Sequence, residues 1–216
     1  AASDVYKRQD NMNDGYLEIL NSISSSSPTP GGGSVAALIL AHAHSLAAMV
    51  ARLTLKSEKW SDGHEIANLI VKQSEERIQE SILLADKDAA SFDAVMVAYR
   101  LPKDEDGSTT KSDSIREATI GAALVPLETI QAAHNLLNDL LELSRCCNAN
   151  ALTDLAASGE LAHSAAKIAQ MNVKINTHYI SGDDVDTIDY DTRKLIKDCE
   201  QIIIDLRVSY MERLGW

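Results

Sequence analysis

Apolar residues recur at steps of three and four along most of this sequence, the spacing that lays one stripe along an α-helix. Leu17, Leu20 and Ile23 fall on one side of a short amphipathic helix predicted over Met12 to Ile23. That helix runs out in four serines and then Pro28-Thr29-Pro30-Gly31-Gly32-Gly33-Ser34, a strong break. The pattern then predicts long helices over Ser34 to Lys56 and over Ser61 to Tyr99, the latter stopped by Leu101-Pro102. A charged connection from Lys103 to Ser112 leads to a helix over Ser114 to Arg145, which Pro126 should kink because proline removes a backbone donor and crowds the preceding turn. A helix over Asn148 to Ile180, capped at Asn148 or Asn150, and a last one over Val185 to Leu214 complete the reading. No repeat and no long linker divides the chain. The expectation is one all-α domain over 12–216, preceded by a polar, ragged stretch at 1–11.

Two of the predicted helices carry a narrow stripe of small side chains. One holds Gly33, Ala37, Leu40, His44, Ala47, Ala51 and Thr54; the other holds Leu155, Gly159, Ala162, Ala166, Ala169, Val173, Asn176 and Ile180. Small residues at this spacing let two backbones approach closely, and they leave room for a flat ligand where two such stripes meet. Tight packing alone accounts for most of these alanines.

Composition supports helices: 45 % of residues are hydrophobic but only 4 % aromatic, with four prolines. A net charge of −12 with no basic run argues against nucleic acid, whose phosphates require a cationic face. Three cysteines, Cys146, Cys147 and Cys199, make no disulfide framework, and with no visible signal peptide a reducing, cytoplasmic setting is expected. Val35 to Ala51 has no formal charge for 17 residues, yet it is alanine-rich and holds His42, His44 and Ser45. It reads as the central helix of a soluble assembly and not as a membrane span.

Several positions carry candidate chemistry. Gly31-Gly32-Gly33-Ser34 at a helix start presents unpaired amides that suit an anion, although a plain turn capped by Ser34 explains the same residues. Asp88 stands on the apolar stripe formed by Ser81, Leu84, Ala85, Ser91, Phe92, Val95 and Tyr99. A carboxyl group there is pushed towards its neutral form, as a proton shuttle requires; the other reading is a partner lysine or arginine across the bundle, or water. Asn172 and Asn176, one turn apart among apolar residues, either set helix register or recognise a heteroaromatic ring edge. His42 and His44 lie about 200° apart around their helix and the other four histidines are scattered, so no metal is expected.

In this order, the glycine loop with Val35-Ala36-Ala37, Ala47 to Thr54, Asp86 to Phe92, Ala98 to Lys103, Val125-Pro126-Leu127-Glu128, Asn148 to Asp154 and Asn172 to Asn176 resemble the cyclodeaminase/cyclohydrolase family. That family comprises the C-terminal domain of formiminotransferase-cyclodeaminase and its free-standing bacterial relatives. The resemblance spans about Tyr16 to Ile180 and implies an up-and-down helical bundle that forms a homodimer. It implies action on a tetrahydrofolate derivative, by hydrolysis of the 5,10-methenyl form or by cyclisation of the 5-formimino form with loss of ammonia. No cofactor beyond the folate itself is then needed. Asp88 becomes the proton-transfer group; Gly31, Gly32, Gly33, Ser34, Asn172 and Asn176 shape the pocket; Lys56, Lys59 and Lys174 are candidates to meet the glutamate tail. The sequence departs from the family at Leu40 and Ala43, where glycine is usual, and at His42 and His44, where small or apolar residues are usual, and larger groups there are expected to narrow the pocket or to replace one partner contact with another. The readings of another class are a folate-binding module without turnover and a purely structural helical dimer.

Overall fold

The computed structural model describes residues 15–102 and 110–216. The ragged start at 1–11, the first residues of the helix expected from Met12, and most of the connection from Lys103 to Ser112 lie outside the described residues. Among the described residues there are six α-helices and no strand: α1 Tyr16–Ile23, α2 Gly32–Leu55, α3 His64–Arg100, α4 Thr110–Ser144, α5 Leu152–Thr177 and α6 Asp183–Leu214. Short 3-10 turns at Glu58–Gly63 and Ala149–Ala151 precede α3 and α5. Pro126 sits inside α4, which continues as one element through it. The expected start of α5 at Asn148 moves to Leu152 because Asn148 caps the 3-10 turn instead, accepting from the Asn150 amide at 3.0 Å. The same residue ties this corner to the end of α2, donating to the Leu53 carbonyl and to Thr54 Oγ1.

Helices α2, α3, α4 and α5 pack in a ring, each against the next, with α5 closing on α2; α6 lies against α4 and α5. Consecutive helices joined by short connections pack side by side, which is the up-and-down arrangement. The core is leucine and isoleucine from α4, α5 and α6, including Ile130, Leu137, Leu140, Leu155, Ile203 and Leu206, facing the small side chains of α2. Both stripes of small residues are buried as their spacing implied, up to Val173 on α5. Close approach has direct consequences. Ser158 on α5 donates to the Ala43 carbonyl of α2 at 2.7 Å. At Gly159 an added Cβ would lie 2.5 Å from Leu206 Cδ2, so any larger residue here would force the leucine of α6 to shift. At the far end of the bundle Arg213 donates to the carbonyls of Ser144 and Cys147 at 2.6 and 2.7 Å, satisfying and neutralising the C-terminus of α4.

One expectation needs correction. The apolar side of α1 is Tyr16, Ile19, Leu20 and Ile23, which line a groove with Leu38, Ile39 and Ile82; Leu17 lies off it and is 60 % exposed. No residue of α1 is buried, so this helix borders the fold and does not build its core. Helix α2 is long and apolar enough to cross a membrane, yet 61 % of that stretch is buried against neighbouring helices, which use the surface a lipid would cover.

His44 is the odd member of the α2 stripe. It is buried, its Nε2 has no partner, and it faces a cavity of about 30 Å³ shared with Gln73, Ser74, Arg77, Asn135 and Asp139. Burial first, and the Arg77 charge second, push its pKa down to about 4. Between that value and the unfolded value of 6.5 the unfolded chain holds a proton that the folded chain refuses, so stability falls as pH falls through this window. Burial raises the Asp139 carboxyl, with opposition from Arg77, and a raised carboxyl acts in the opposite sense. Urea unfolding of His44→Leu at pH 7 and at pH 4.5 is expected to show about 1–3 kcal/mol less acid destabilisation than the parent. Identical pH slopes for the two proteins would mean that His44 does not titrate in this way.

Candidate active site

The site is built where α2 begins. Gly31 is the N-cap of α2 and offers no side chain, and the first turn holds no acidic residue. The amides of that turn have no acceptor within the helix. A carboxylate arrives from α3 instead. Ser34 Oγ donates to Asp88 Oδ2 at 2.9 Å, and the Ser34 amide also favours the ionised carboxylate. The anion that the glycine loop was expected to hold is thus, in this structure, the chain's own aspartate.

Gly33 makes this seating possible. A Cβ built there would sit 2.6 Å from Asp88 Cγ and 2.7 Å from Oδ2, so a side chain and the carboxylate cannot share the space. None of the three loop glycines has positive φ, so close approach is what requires glycine at 33. Gly32 has ordinary room, its nearest neighbour being the Asn172 side chain at 3.7 Å.

Burial pushes the Asp88 carboxyl above its ordinary value, and the Ser34 hydroxyl and amide oppose that shift without cancelling it. Its stripe on α3 changes character along the helix. Ser81, Leu84 and Ala85 are buried; Asp88, Ser91 and Val95 are half-buried; Phe92 is on the exposed side. Tyr99, expected on the same buried stripe, is 56 % exposed and lies beyond the cleft. The carboxyl group therefore stands at the point where core gives way to cleft wall.

Across from it, α5 supplies Asn172 and Asn176. Asn172 Nδ2 donates to the Ile168 carbonyl at 2.9 Å; Asn176 Nδ2 donates to the carbonyls of Ala122, on α4, and Asn172, at 2.8 and 2.9 Å. Asn176 thus does link two helices, and both asparagines remain able to accept through Oδ1. Together these groups line a cleft of about 320 Å³ between the glycine loop, α3, α4 and α5. Its apolar walls are Phe92, Val95 and Ile175, and its polar groups are Asp88, Ser91, Asn172 and Asn176. Residues not foreseen as site members are Pro28, Thr29, Ala122 and Ile175, together with Ser91, Phe92 and Val95, which the sequence placed on the Asp88 stripe but not in the site. Ala122 contributes a backbone carbonyl, which no side-chain pattern announces.

The lysines fall elsewhere. Lys56 follows the last residue of α2, about 35 Å along the helix from Gly33, and Lys59 stacks over Trp60 in the following turn. Lys174 is exposed, and two residues from each asparagine puts it about 200° around α5 from both. None of the three lines the cleft. The family departures miss it too: Leu40 and Ala43 are fully buried in the core, His42 borders the α1 groove and His44 its own small cavity, so they do not narrow the cleft. Among the described residues no three His, Cys, Asp or Glu side chains converge as metal ligands.

Comparison with known proteins bears on the family and the fold. The family model described as formiminotransferase-cyclodeaminase matches residues 16–189. A methenyltetrahydrofolate cyclohydrolase of Methylorubrum extorquens is 31 % identical over 159 residues, covering 73 % of this chain and 76 % of that one. The formimidoyltransferase-cyclodeaminase of Rattus norvegicus is 28 % identical over 162 residues, or 74 % of this chain but only 30 % of the rat protein. In structure, the formiminotetrahydrofolate cyclodeaminase of Thermotoga maritima superposes with a TM-score of 0.78 at 28 % identity, covering 92 % of this chain and 94 % of that one. A match across most of the length, joined to a shared fold, places this chain in the formiminotransferase-cyclodeaminase family of folate one-carbon proteins.

Proposed function

We propose that this protein is an enzyme acting on a one-carbon unit bridging N5 and N10 of tetrahydrofolate, with Asp88 as the group that moves the proton. The carrying observation is the position of that carboxyl group: half-buried, raised by burial, and held by Ser34 on one wall of a cleft whose other wall offers two amide acceptors. A pterin ring has N–H groups along one edge and flat apolar faces. Asn172 and Asn176 suit the first, and Phe92, Val95 and Ile175 suit the second.

Two reactions fit one proton-carrying group. In hydrolysis, ionised Asp88 takes a proton from water as its oxygen bonds to the methenyl carbon. The carbon–N5 bond then breaks, N5 receives that proton, the remaining hydroxyl proton passes to solvent, and 10-formyltetrahydrofolate results. In cyclisation, N10 attacks the protonated formimino carbon and loses its proton to Asp88, which passes it to the departing nitrogen; ammonia leaves and the methenyl form results. Neither step exchanges electrons with a redox partner, so the reading needs no cofactor beyond the folate. We read the working form as a cytoplasmic homodimer; the exposed apolar residues along α1 and its groove support an additional partner surface. A cation for the glutamate tail must come from outside the cleft lining, which holds no lysine or arginine among the described residues.

The direct assay follows methenyltetrahydrofolate absorbance with purified protein. Its loss marks hydrolysis, its appearance from the formimino compound marks cyclisation, and no change in either direction with folate still bound would leave a binding module. Asp88→Asn is expected to lower the rate roughly a hundredfold or more with the fold intact. Both reactions start from the ionised carboxylate, so kcat/KM should rise with pH through the raised Asp88 value. Ser34→Ala removes a donor that favours the ionised form, and so should move this rise to higher pH; an unmoved profile would remove Ser34 from control of the group. Gly33→Ala sets a helix-propensity gain of about 0.5–1 kcal/mol against an overpacking cost of about 1–3 kcal/mol. Thermal melts should therefore show net destabilisation together with loss of turnover.

A further inference from the structure

Asn176 accepts a ligand through Oδ1 only if its amide is held one way round, and what holds it is a gap in a different helix. In an α-helix the N–H of each residue bonds the carbonyl four positions earlier. Proline has no N–H, and its ring crowds that same carbonyl. Pro126 lies buried inside α4, and the carbonyl four residues before it belongs to Ala122. This is the oxygen to which Asn176 Nδ2 donates at 2.8 Å. The second amide hydrogen goes to the Asn172 carbonyl at 2.9 Å. Both partners are acceptors only, so the nitrogen must occupy that side. Oδ1 is left without a protein donor among the described residues, on a side chain that lines the cleft beside Ala122.

We infer that Pro126 is a positioning residue for ligand recognition: by leaving the Ala122 carbonyl without its helical donor, it holds Asn176 with Oδ1 available to the N–H edge of a pterin-like ring. The identity of the ring rests on the folate reading above; the link from Pro126 through Ala122 to Asn176 does not. A proline in a helix interior works against the helix, and a proline kept only for the path of α4 would act through packing. The two roles separate on substitution. Restoring the N–H at 126 gives Ala122 its own helical partner and sets it in competition with Asn176.

The test is Pro126→Ala in the full chain, beside Asn176→Ala and the double variant. Expected for Pro126→Ala is a melting temperature equal to or above the parent's, with KM for methenyltetrahydrofolate raised roughly tenfold and kcat changed by less than about threefold. Asn176→Ala should raise KM similarly, and the double variant should be no worse than Asn176→Ala alone, since both changes remove one link. The side-chain amide resonances of Asn176, followed by nitrogen-15 NMR without any ligand, should move in Pro126→Ala. An unmoved amide signal overturns the positioning role whatever the kinetics. So does a lowered melting temperature with unchanged KM, or KM effects that multiply in the double variant. If the parent protein turns over no folate but the Asn176 amide moves, the folate reading falls and the positioning role stands.

Discussion

The contact on which the site depends is a carboxylate from one helix seated on the first turn of another. Asp88 takes the place of a side-chain cap that Gly31 does not supply, with Ser34 donating to it and Gly33 leaving the space it occupies. Two opposing effects meet there. Removal from water disfavours the charge, while the donor groups and the positive end of α2 favour it. A carboxyl group balanced between them is suited to take up a proton and release it within one reaction, which a fully solvated aspartate is not. The same seating draws α2 and α3 together, so the chemistry and the packing of this end of the bundle share one set of atoms.

The rest of the bundle makes that closeness affordable. Small side chains along α2 and α5 allow backbones to meet, to the point where Ser158 reaches the Ala43 carbonyl and Gly159 admits Leu206. Larger aliphatic side chains from α4 and α6 fill what the alanines leave. The result is a closed core at one end of α5 and an open cleft at the other. Along α3 the same change occurs at Asp88, beyond which Phe92 emerges from the core. The cleft is thus the place where two helices outrun the packing that covers them elsewhere.

Polar groups in the cleft are oriented by backbone carbonyls more than by one another. Asn176 commits both of its amide hydrogens to main-chain oxygens of α4 and α5, and Asn172 commits one to the Ile168 carbonyl. Such bonds are held by rigid helices and cost little freedom when a ligand arrives. For Asn176 they convert an amphoteric side chain into an acceptor, which narrows the kind of ring edge that fits.

Much of this was legible in the order of residues. Periodicity alone placed all six helices, because a stripe that must face a core repeats at 3.6 residues whatever it packs against. It also marked Asp88 as an acid on an apolar stripe and both rows of small residues as close contacts. What periodicity cannot report is which ends of different helices meet. The resemblance offers Lys56 and Lys59, with Lys174, for the glutamate tail, yet the 24 residues of α2 carry Lys56 and Lys59 to the end of the bundle opposite the glycine loop. The spacing offers Asn148 or Asn150 as the cap of a long helix, while Asn148 caps a 3-10 turn and bonds Thr54 and Leu53, 94 and 95 residues away in the chain. The sense of the Asn176 amide depends on a carbonyl of α4 that carries no side-chain signature. Helix identity is local, set by spacing and breakers; the site is a meeting of three helices and a loop, and only tertiary packing decides which groups come within a hydrogen bond of one another.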